Sequence, residues 1–238
     1  MQSQANCVKA QQTSPFCTVA GFARLCYNPR MCKVSCVRVY LVFVNGGFRY
    51  EEAALSAVRR ERIAQIKSPE AKILSAAAER ALSFALLQNV SGYVPPPALS
   101  YDAQGRPRVP GAFVSLAHTR GLAACAISDA PVGLDAEWER SMNKGIARRI
   151  LSPDEMTECA ACEDQNEFLL SKWVAKEAYL KLTGEGIAGG MHRYAVKGGL
   201  VRDAAGQICA HIAFPPVPGH RVAVCQHRPV ACETIVVP

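Results

Sequence analysis

The sequence predicts an α+β fold made of two similar halves, because strand and helix patterns recur in the same order along the chain. Alternating apolar residues at 37–44 predict a strand, and helical patterns follow it. A second strand pattern, at 132–137, also precedes a long helical pattern. The tripeptides Ser-Pro-Glu at 68–70 and Ser-Pro-Asp at 152–154 each combine a cap residue, a first-turn proline and an acid that the helix dipole favours. Each half is therefore expected to run strand, helices, strands.

The N-terminal half is expected to span residues 37–128. After the first strand, one helix is predicted from Glu51 to about Ile66 and a second from Pro69 to about Gln88. Apolar spacing in the second helix predicts a core-facing stripe made of Ile73, Leu74, Ala77, Ala81, Phe84, Ala85 and Leu87. Two short strands are predicted at 113–116 and 122–127, which complete this half.

The C-terminal half is expected to span residues 129–238. It begins with the strand at 132–137, and a long helix is predicted from about Glu163 to Leu182, ending before Gly184. Three further strands are predicted at 193–197, 208–213 and 221–226.

Residues 1–36 form an extension that differs from the rest of the chain. They hold five of the eleven cysteines and show no clear apolar period. Their basic, acid-free composition superficially resembles a transit peptide. We expect an extension without a fold of its own, and our hypothesis is that Met31 is the natural start or that residues 1–30 are disordered.

Charge and hydropathy argue against nucleic-acid and membrane partners. The net charge is +7, but the first 50 residues hold six Lys or Arg and no acid, so the remaining residues hold 21 basic and 20 acidic groups. A basic stripe with interleaved aromatic residues is not evident. The chain has no apolar run long enough to cross a bilayer, so we expect a soluble protein, and the lack of an export signal predicts a cytoplasmic one. Cys159 and Cys162 are expected to pack as small hydrophobic residues, because no further zinc ligands lie nearby.

Four ionisable residues in the second half are spaced so that they can meet at one point. Asp135 and Glu137 leave the same side of the predicted strand, and Glu177 and Lys181 lie one turn apart on the predicted helix. Three carboxylates beside one ammonium can hold a hard cation such as Mg²⁺ together with a phosphate ester. Taken separately, the strand acids also suit a solvated face, and the helix pair is an ordinary stabilising pair worth about 0.2–0.5 kcal/mol.

Gly-x-Asp-x-Glu at 133–137, followed by Trp-x-x-Lys-Glu-x-x-x-Lys at 173–181, resembles the signature of the surfactin-type 4'-phosphopantetheinyl transferases. The resemblance extends more weakly from about Val37 to about His227. It implies two similar α+β halves related by a pseudo-twofold, with coenzyme A in the cleft between them. It also implies Mg²⁺-dependent transfer of the phosphopantetheine arm to a serine of an apo acyl or peptidyl carrier protein, with release of 3',5'-ADP, by a monomeric enzyme.

The resemblance implies roles for the residues of both motifs. Asp135, Glu137 and Glu177 would be the metal ligands, and Glu177 would also help to deprotonate the incoming serine. Lys181 would neutralise or protonate the leaving phosphate. Lys176 matches a lysine of the family motif and is expected to contact the cofactor.

Residues of the first half are implied to hold the nucleotide of coenzyme A. His118, in a segment similar to the family's Phe-Asn-(Leu/Ile)-Ser-His-Ser, would meet the 3'-phosphate. Ser115 and Ala117 depart from that pattern, and Thr119 is a candidate to replace the lost hydroxyl. Arg106 stands in a Gly-Arg-Pro turn that resembles the family's Gly-Lys-Pro, whose cation faces the nucleotide. The basic groups expected at the 3'-phosphate end, for which a solvated helix face is the alternative, are Arg60, Lys67 and Lys72.

Two other functions stay open at the level of sequence. The chain could be a non-catalytic relative that binds a carrier protein or coenzyme A, or a Mg²⁺-dependent hydrolase of nucleotide pyrophosphates. A dinucleotide-binding interpretation of Gly184–Gly189 is rejected, because this glycine pattern follows a helix whereas the fingerprint needs a strand before it.

Overall fold

The computed structural model describes residues 35–186 and 190–238. The predicted extension at 1–36 therefore lies outside the described residues, apart from Ser35 and Cys36. Within the described residues, no helix has the length and apolar character needed to cross a membrane.

The described residues form strands and helices in an order that confirms the predicted α+β class. The strands are β1 (Ser35–Phe43), β2 (Ser100–Tyr101), β3 (Pro107–Arg108), β4 (Phe113–Thr119), β5 (Leu122–Ser128), β6 (Gly133–Trp138), β7 (Ala195–Lys197), β8 (Leu200–Arg202), β9 (Ile208–Ala213), β10 (His220–Gln226) and β11 (Val230–Val236). The α-helices are α1 (Ala57–Gln65), α2 (Pro69–Asn89), α3 (Ala147–Ile150), α4 (Pro153–Ala161) and α5 (Gln165–Thr183). Short 3₁₀ helices span Glu52–Ala54, Lys144–Ile146 and Met191–Arg193.

Two main sheets organise these elements. One has the strand order β11-β1-β5-β4 and the other has the order β6-β10-β9-β8-β7, while β2 and β3 form a small separate pair. Neighbouring strands are antiparallel except that β11 runs parallel to β1. Among the described residues, the last strand, β11, thus completes the sheet that the first strand, β1, begins.

The core has three apolar clusters that define the layers. Helix α2 packs on one face of the first sheet, through residues such as Leu82 against Tyr40. The other face of that sheet packs on the second sheet, where Val39 and Leu134 belong to one cluster. Helix α5 covers the remaining face of the second sheet, with Val174 among its buried residues. The two sheets therefore lie face to face between α2 and α5.

Local cap chemistry explains the boundaries that the sequence predicts well. The Ser68 hydroxyl accepts a hydrogen bond from the amide of Ala71 at the start of α2. Ser152 and Glu155 form a reciprocal capping box at the start of α4. Helix α5 ends at Gly184, which adopts a left-handed conformation with φ of 80°.

The first predicted helix is wrong in its extent. Instead of one helix from Glu51 to Ile66, the chain forms a 3₁₀ turn and then α1, with extended backbone at Ser56 between them. The reason is that Ser56 serves as the cap of α1, since its hydroxyl accepts from the amide of Arg59 while its own N–H donates to the buried carboxylate of Glu79.

The core stripe of α2 is displaced by one residue near its end. Leu86 is buried, whereas Leu87, which the periodicity assigns to the core, is 56% exposed. The other predicted members from Leu74 to Ala81 and Ala85 are buried, and Ile73 and Phe84 are half-buried. The strands β2, β3, β8 and β11 were not predicted from the sequence.

A backbone contact between β6 and α5 sets the spacing of the two elements that carry the sequence-predicted acids. A Cβ atom added to Gly133 would lie 1.9 Å from the carbonyl oxygen of Ala178 and 2.8 Å from the amide nitrogen of Leu182. Only a residue without a side chain fits there. The close approach brings the start of β6 against the half of α5 that carries Glu177 and Lys181.

Candidate functional site

A cavity of about 970 Å³ opens beside α5. Its walls come from α1, α2, the β2–β3 segment, β4, the β5–β6 connection and the C-terminal half of α5. Its charged lining residues are Arg59, Arg62, Arg106, Arg108, His118, Asp129, Glu177 and Lys181. Basic groups outnumber acids in this lining, so the cavity favours an anionic ligand.

Asp135 and Lys181 form an ion pair at the edge of the cavity. The ammonium of Lys181 donates to Asp135 Oδ1 at 2.8 Å, and it also lies 3.3 Å from the carbonyl oxygen of Leu116. Burial raises the pKa of Asp135, the Lys181 charge opposes that shift, and the nearby charge of Glu137 adds to it.

Glu177 lies near the same acids. Burial, together with the negative charges of Asp135 and Glu137, raises the pKa of Glu177 to about 7, while Lys181 lowers it. Its Oε1 atom is buried without a hydrogen-bond partner among the described residues. A buried carboxylate oxygen without a partner is costly, so this atom is suited to receive a cation or a proton.

Glu137 is held on both of its carboxylate oxygens. The indole N–H of Trp173 donates to Oε1 at 3.3 Å, and the hydroxyl of Thr119 lies 3.2 Å from Oε2. A guanidinium nitrogen of Arg140 lies 3.9 Å from Oε2. The side chain is thus oriented by groups on β4 and on α5.

The convergence predicted for the four motif residues is only partly present. The charges of Glu137 and Lys181 act on the pKa of Asp135 and of Glu177, and Lys181 pairs directly with Asp135. However, no three His, Cys, Asp or Glu side chains among the described residues are gathered in an arrangement that could hold a metal ion. Lys181 fills the cationic position beside Asp135 instead. The donor chemistry fits a hard cation, since it offers three carboxylates and one unpartnered oxygen, but ligation requires Asp135 to exchange its ammonium partner.

His118 lines the cavity with an exposed side chain. Partial desolvation by the cavity walls lowers its pKa, and the positive charges of Lys181, Arg59 and Arg62 lower it further. Thr119 does not face the cavity as a substitute phosphate donor, because its hydroxyl bonds Glu137 and the amide of Trp138.

Two arginines of α1 line the cavity in place of the basic residue that we predicted from this helix. Arg59 and Arg62 are lining residues, whereas Arg60 is exposed elsewhere and donates to the carbonyls of Glu52 and Leu55. The signal that could have identified them is the helical period, because residues 59, 62 and 66 lie on one face of the helix and residue 60 does not.

Arg59 is buried and only partly satisfied. Its Nε donates to Glu79 at 3.0 Å and its Nη1 to Ser75 at 3.2 Å. Its Nη2 atom has no hydrogen-bond partner among the described residues. This unpaired donor belongs to a residue of the cavity wall, so it is suited to an anionic oxygen.

Lys67 and Lys72 are absent from the described lining of the cavity. Lys176 is fully buried on another side of α5, where its ammonium donates to the carbonyl of Ile150 at 2.7 Å and pairs with Glu155. This placement contradicts the expectation that Lys176 contacts the cofactor, because its three donors are directed into the protein core.

Arg106 lines the cavity as expected but is also bound to the protein. Its Nε donates to Asp102 at 2.9 Å, and its Nη1 lies 3.4 Å and 3.2 Å from the carbonyl oxygens of Leu182 and Thr183. The side chain thus ties the β2–β3 segment to the last turn of α5, beside the positive charge it presents to the cavity.

Comparison with known proteins links the second half of the chain to one family. Residues 131–215 match the model of the 4'-phosphopantetheinyl transferase superfamily. The chain is 29% identical over 147 residues to the 4'-phosphopantetheinyl transferase psf-1 of Bacillus pumilus, which covers 56% of this chain and 62% of that relative. It is 26% identical over 139 residues to the 4'-phosphopantetheinyl transferase Sfp of Bacillus subtilis, covering 54% of this chain and 61% of Sfp. The chain thus spans about three-fifths of the length of these curated relatives.

A solved structure, that of Thermotoga maritima holo-[acyl-carrier-protein] synthase, is also similar. It has 21% sequence identity, covers 40% of this chain and 61% of that chain, and gives a TM-score of 0.33.

Proposed function

We propose that this chain, which belongs to the 4'-phosphopantetheinyl transferase superfamily, moves the phosphopantetheine arm of coenzyme A onto a serine of an apo carrier protein. The observation that carries the proposal is the position of Glu177 and Lys181, which line a basic cavity while they interact with Asp135 and Glu137 on the neighbouring strand. Arginines that line the cavity, together with acids beside Lys181, suit a ligand with a pyrophosphate and a separate phosphate.

The basic residues that line the cavity support a site for the nucleotide. Arg59, Arg62 and His118 line it, and Arg59 offers an unpartnered N–H donor. Guanidinium groups are well suited to phosphate because their N–H donors match its oxygens. In this proposal they hold the 3'-phosphate of coenzyme A, and Arg106 lies beside the nucleotide.

The acidic residues beside Lys181 support a site for Mg²⁺. Asp135, Glu137 and Glu177 would hold the ion through carboxylate oxygens, which Mg²⁺ prefers, and the unpartnered Oε1 of Glu177 is the atom most in need of a positive neighbour. When bound, Mg²⁺ would supply electrostatic stabilisation of the charge that develops on the pyrophosphate.

The chemistry proposed is attack of the carrier serine oxygen on the β-phosphorus of coenzyme A. A new serine O–P bond forms, the bond to 3',5'-ADP breaks, and the serine proton must leave. Glu177 is proposed to accept it, since a carboxylate with a pKa near 7 is suited to proton transfer at neutral pH. Lys181 would neutralise the leaving phosphate. The nucleophile arrives on the partner, so the chain itself need not supply a serine or cysteine nucleophile.

The division of the chain into halves at 37–128 and 129–238 remains a proposal, as does the monomeric state. Residues of both proposed halves line this cavity, which is consistent with a site completed within a single chain. Use of coenzyme A would require a compartment that contains it, and we propose the cytoplasm.

The test is to incubate the full chain with coenzyme A, Mg²⁺ and several apo carrier proteins and to record intact-carrier masses. A gain of one phosphopantetheine arm supports transfer. Consumption of coenzyme A without a heavier carrier indicates the hydrolase, and binding without either change indicates a non-catalytic relative. Glu177→Ala and Asp135→Ala should nearly abolish transfer with an unchanged circular dichroism spectrum, and near-native turnover in either would contradict the site.

A further inference from the structure

The two sheets meet at a seam between β4 and β6 that is made by side chains. In the described part of the chain, β4 ends the first sheet and β6 ends the second, so they belong to different backbone ladders. The hydroxyl of Ser115 accepts from the amide of Leu134 at 3.0 Å, and the hydroxyl of Thr119 accepts from the amide of Trp138 at 3.2 Å. Both residues are buried, so these bonds are shielded from water.

The two seam hydroxyls differ in what they do with their hydrogen. The oxygen of Thr119 already accepts from Trp138, so its single hydrogen is available to Glu137 Oε2, 3.2 Å away. Ser115 makes the same kind of contact with β6 without touching a site carboxylate. The hydroxyl of Ser115 therefore only joins the two sheets, whereas the hydroxyl of Thr119 joins the sheets and also orients the carboxylate of Glu137.

The orientation of Glu137 depends on this hydroxyl, because it gives Oε2 its hydrogen bond, and the only other group near that oxygen among the described residues is the Arg140 guanidinium, 3.9 Å away. Trp173 Nε1 holds Oε1 from α5 at 3.3 Å, and Thr119 holds Oε2 from β4. Two donors on opposite oxygens fix the plane of a carboxylate, whereas loss of the Thr119 hydroxyl would leave Oε2 with only the longer contact to Arg140. When a side chain that hydrogen-bonds a metal ligand is lost, the affinity for the metal commonly falls.

We infer that Thr119 is a positioning residue of the proposed enzyme, which orients Glu137 toward a divalent cation through the seam between the sheets. This inference rests on the proposed function. Thr119 acts through Glu137 and does not touch the substrate.

The experiment compares Thr119→Val with two controls in the full chain. Thr119→Ser keeps the hydroxyl, and Ser115→Ala removes the other seam hydrogen bond. Binding of Mn²⁺, used as the probe for the divalent ion, is measured by electron paramagnetic resonance with coenzyme A present. We expect Thr119→Val to weaken Mn²⁺ binding by about 10- to 100-fold. Thr119→Ser should stay near wild type, and Ser115→Ala should lower the melting temperature without changing Mn²⁺ affinity.

Each alternative outcome has a distinct meaning. Equal loss of Mn²⁺ affinity in Thr119→Val and Ser115→Ala would show that seam stability alone matters and would overturn the inference. Weaker coenzyme A binding without metal in Thr119→Val would identify a phosphate donor instead, and would overturn it as well. If Glu137→Gln and Asp135→Asn also leave Mn²⁺ affinity unchanged, the proposed metal site fails, and the role of Thr119 fails with it.

Discussion

The ammonium of Lys181 lies 2.8 Å from Asp135 Oδ1, so the group of acids beside the cavity already has a cation supplied by the chain itself. Without Lys181, the buried carboxylate of Asp135 would lie near the half-buried Glu177 and near Glu137 with no cation beside it. A divalent ion that binds these acids must therefore compete with Lys181 for Asp135. In the proposed reaction, that competition would free the ammonium to meet the phosphate.

Replacement of Lys181 tests how much its ion pair with Asp135 stabilises the protein. Lys181→Met should destabilise the metal-free protein by about 1–2 kcal/mol, between the values for exposed and buried pairs, because about a third of the lysine side chain is exposed. Urea unfolding at neutral pH with a chelator measures this change. Asp135→Asn, combined with Lys181→Met, should recover part of the loss, and an additive double-mutant cycle would contradict the pairing.

Glu177 should make stability depend on pH in a defined direction. Its pKa in the folded protein is raised to about 7, above its unfolded value, so the folded state binds the proton more tightly. Its contribution is therefore fully present below about pH 4.5 and is lost as pH rises through 7. With a chelator present, Glu177→Gln should be more stable than wild type at pH 8 and less different at pH 5.

The measurement for Glu177 is the free energy of unfolding between pH 5 and 9 for both proteins. Asp135, whose pKa is also raised, is present in both, so its effect cancels to a first approximation. Parallel pH curves for wild type and Glu177→Gln would contradict the raised pKa. Addition of Mg²⁺ at pH 8 should stabilise wild type more than the variant.

Two arginines of α1, of which one lines the cavity and the other does not, test the proposed nucleotide site. Arg62 lines the cavity and Arg60 donates to backbone carbonyls outside it, so Arg62→Ala should weaken coenzyme A binding by roughly tenfold while Arg60→Ala does not. Calorimetry with coenzyme A and with an analogue lacking the 3'-phosphate makes the comparison. The effect of Arg62→Ala and of His118→Ala should shrink with the analogue, and equal losses for both ligands would place these residues elsewhere on the nucleotide.

Lys176 should matter for folding and not for ligand binding. Lys176→Met leaves Glu155 buried with a weaker set of partners, since Lys172 remains 3.4 Å from its other oxygen. We expect a loss of roughly 3 kcal/mol in the free energy of unfolding and an unchanged KM for coenzyme A per folded molecule. A raised KM with native stability would restore the cofactor role that the sequence suggested.

The contact at Gly133 makes a prediction about the spacing of β6 and α5. Gly133→Ala would place a methyl group 1.9 Å from the carbonyl oxygen of Ala178, so it should cost several kcal/mol or prevent folding. Gly46→Ala is the matched control, because a Cβ there meets no described atom within 4 Å. Comparable melting temperatures for the two variants would show that the elements can move apart without cost.

Residues at the helix ends, such as caps and glycines, predicted where those helices begin or end. The caps Ser68 and Ser152 and the terminal Gly184 were sufficient to place the ends of α2, α4 and α5 within a few residues. Strand and helix periods likewise placed Asp135 with Glu137 on one side of β6, and Glu177 with Lys181 on one face of α5. These features depend on residues that are near one another in the chain.

Features that depend on distant partners could not be found in this way. The burial of Lys176 is set by Glu155 on another helix, and neither residue differs in type from an exposed one. Arg60 was predicted from a loose match to the family's basic cluster, whereas the position of Arg59 in the cavity wall depends on its bond to Glu79 in α2. The arrangement of the acids around Lys181 is likewise a tertiary property that spacing along the chain cannot give.

The return of β11 to the side of β1 has a consequence for how the protein is made. During synthesis β1 leaves the ribosome long before β11, its parallel neighbour. Until then, one side of β1 presents unpaired backbone groups that can recruit a strand from another nascent chain. Premature termination before Val230 would therefore yield an aggregation-prone product even though every residue of the cavity wall had been translated.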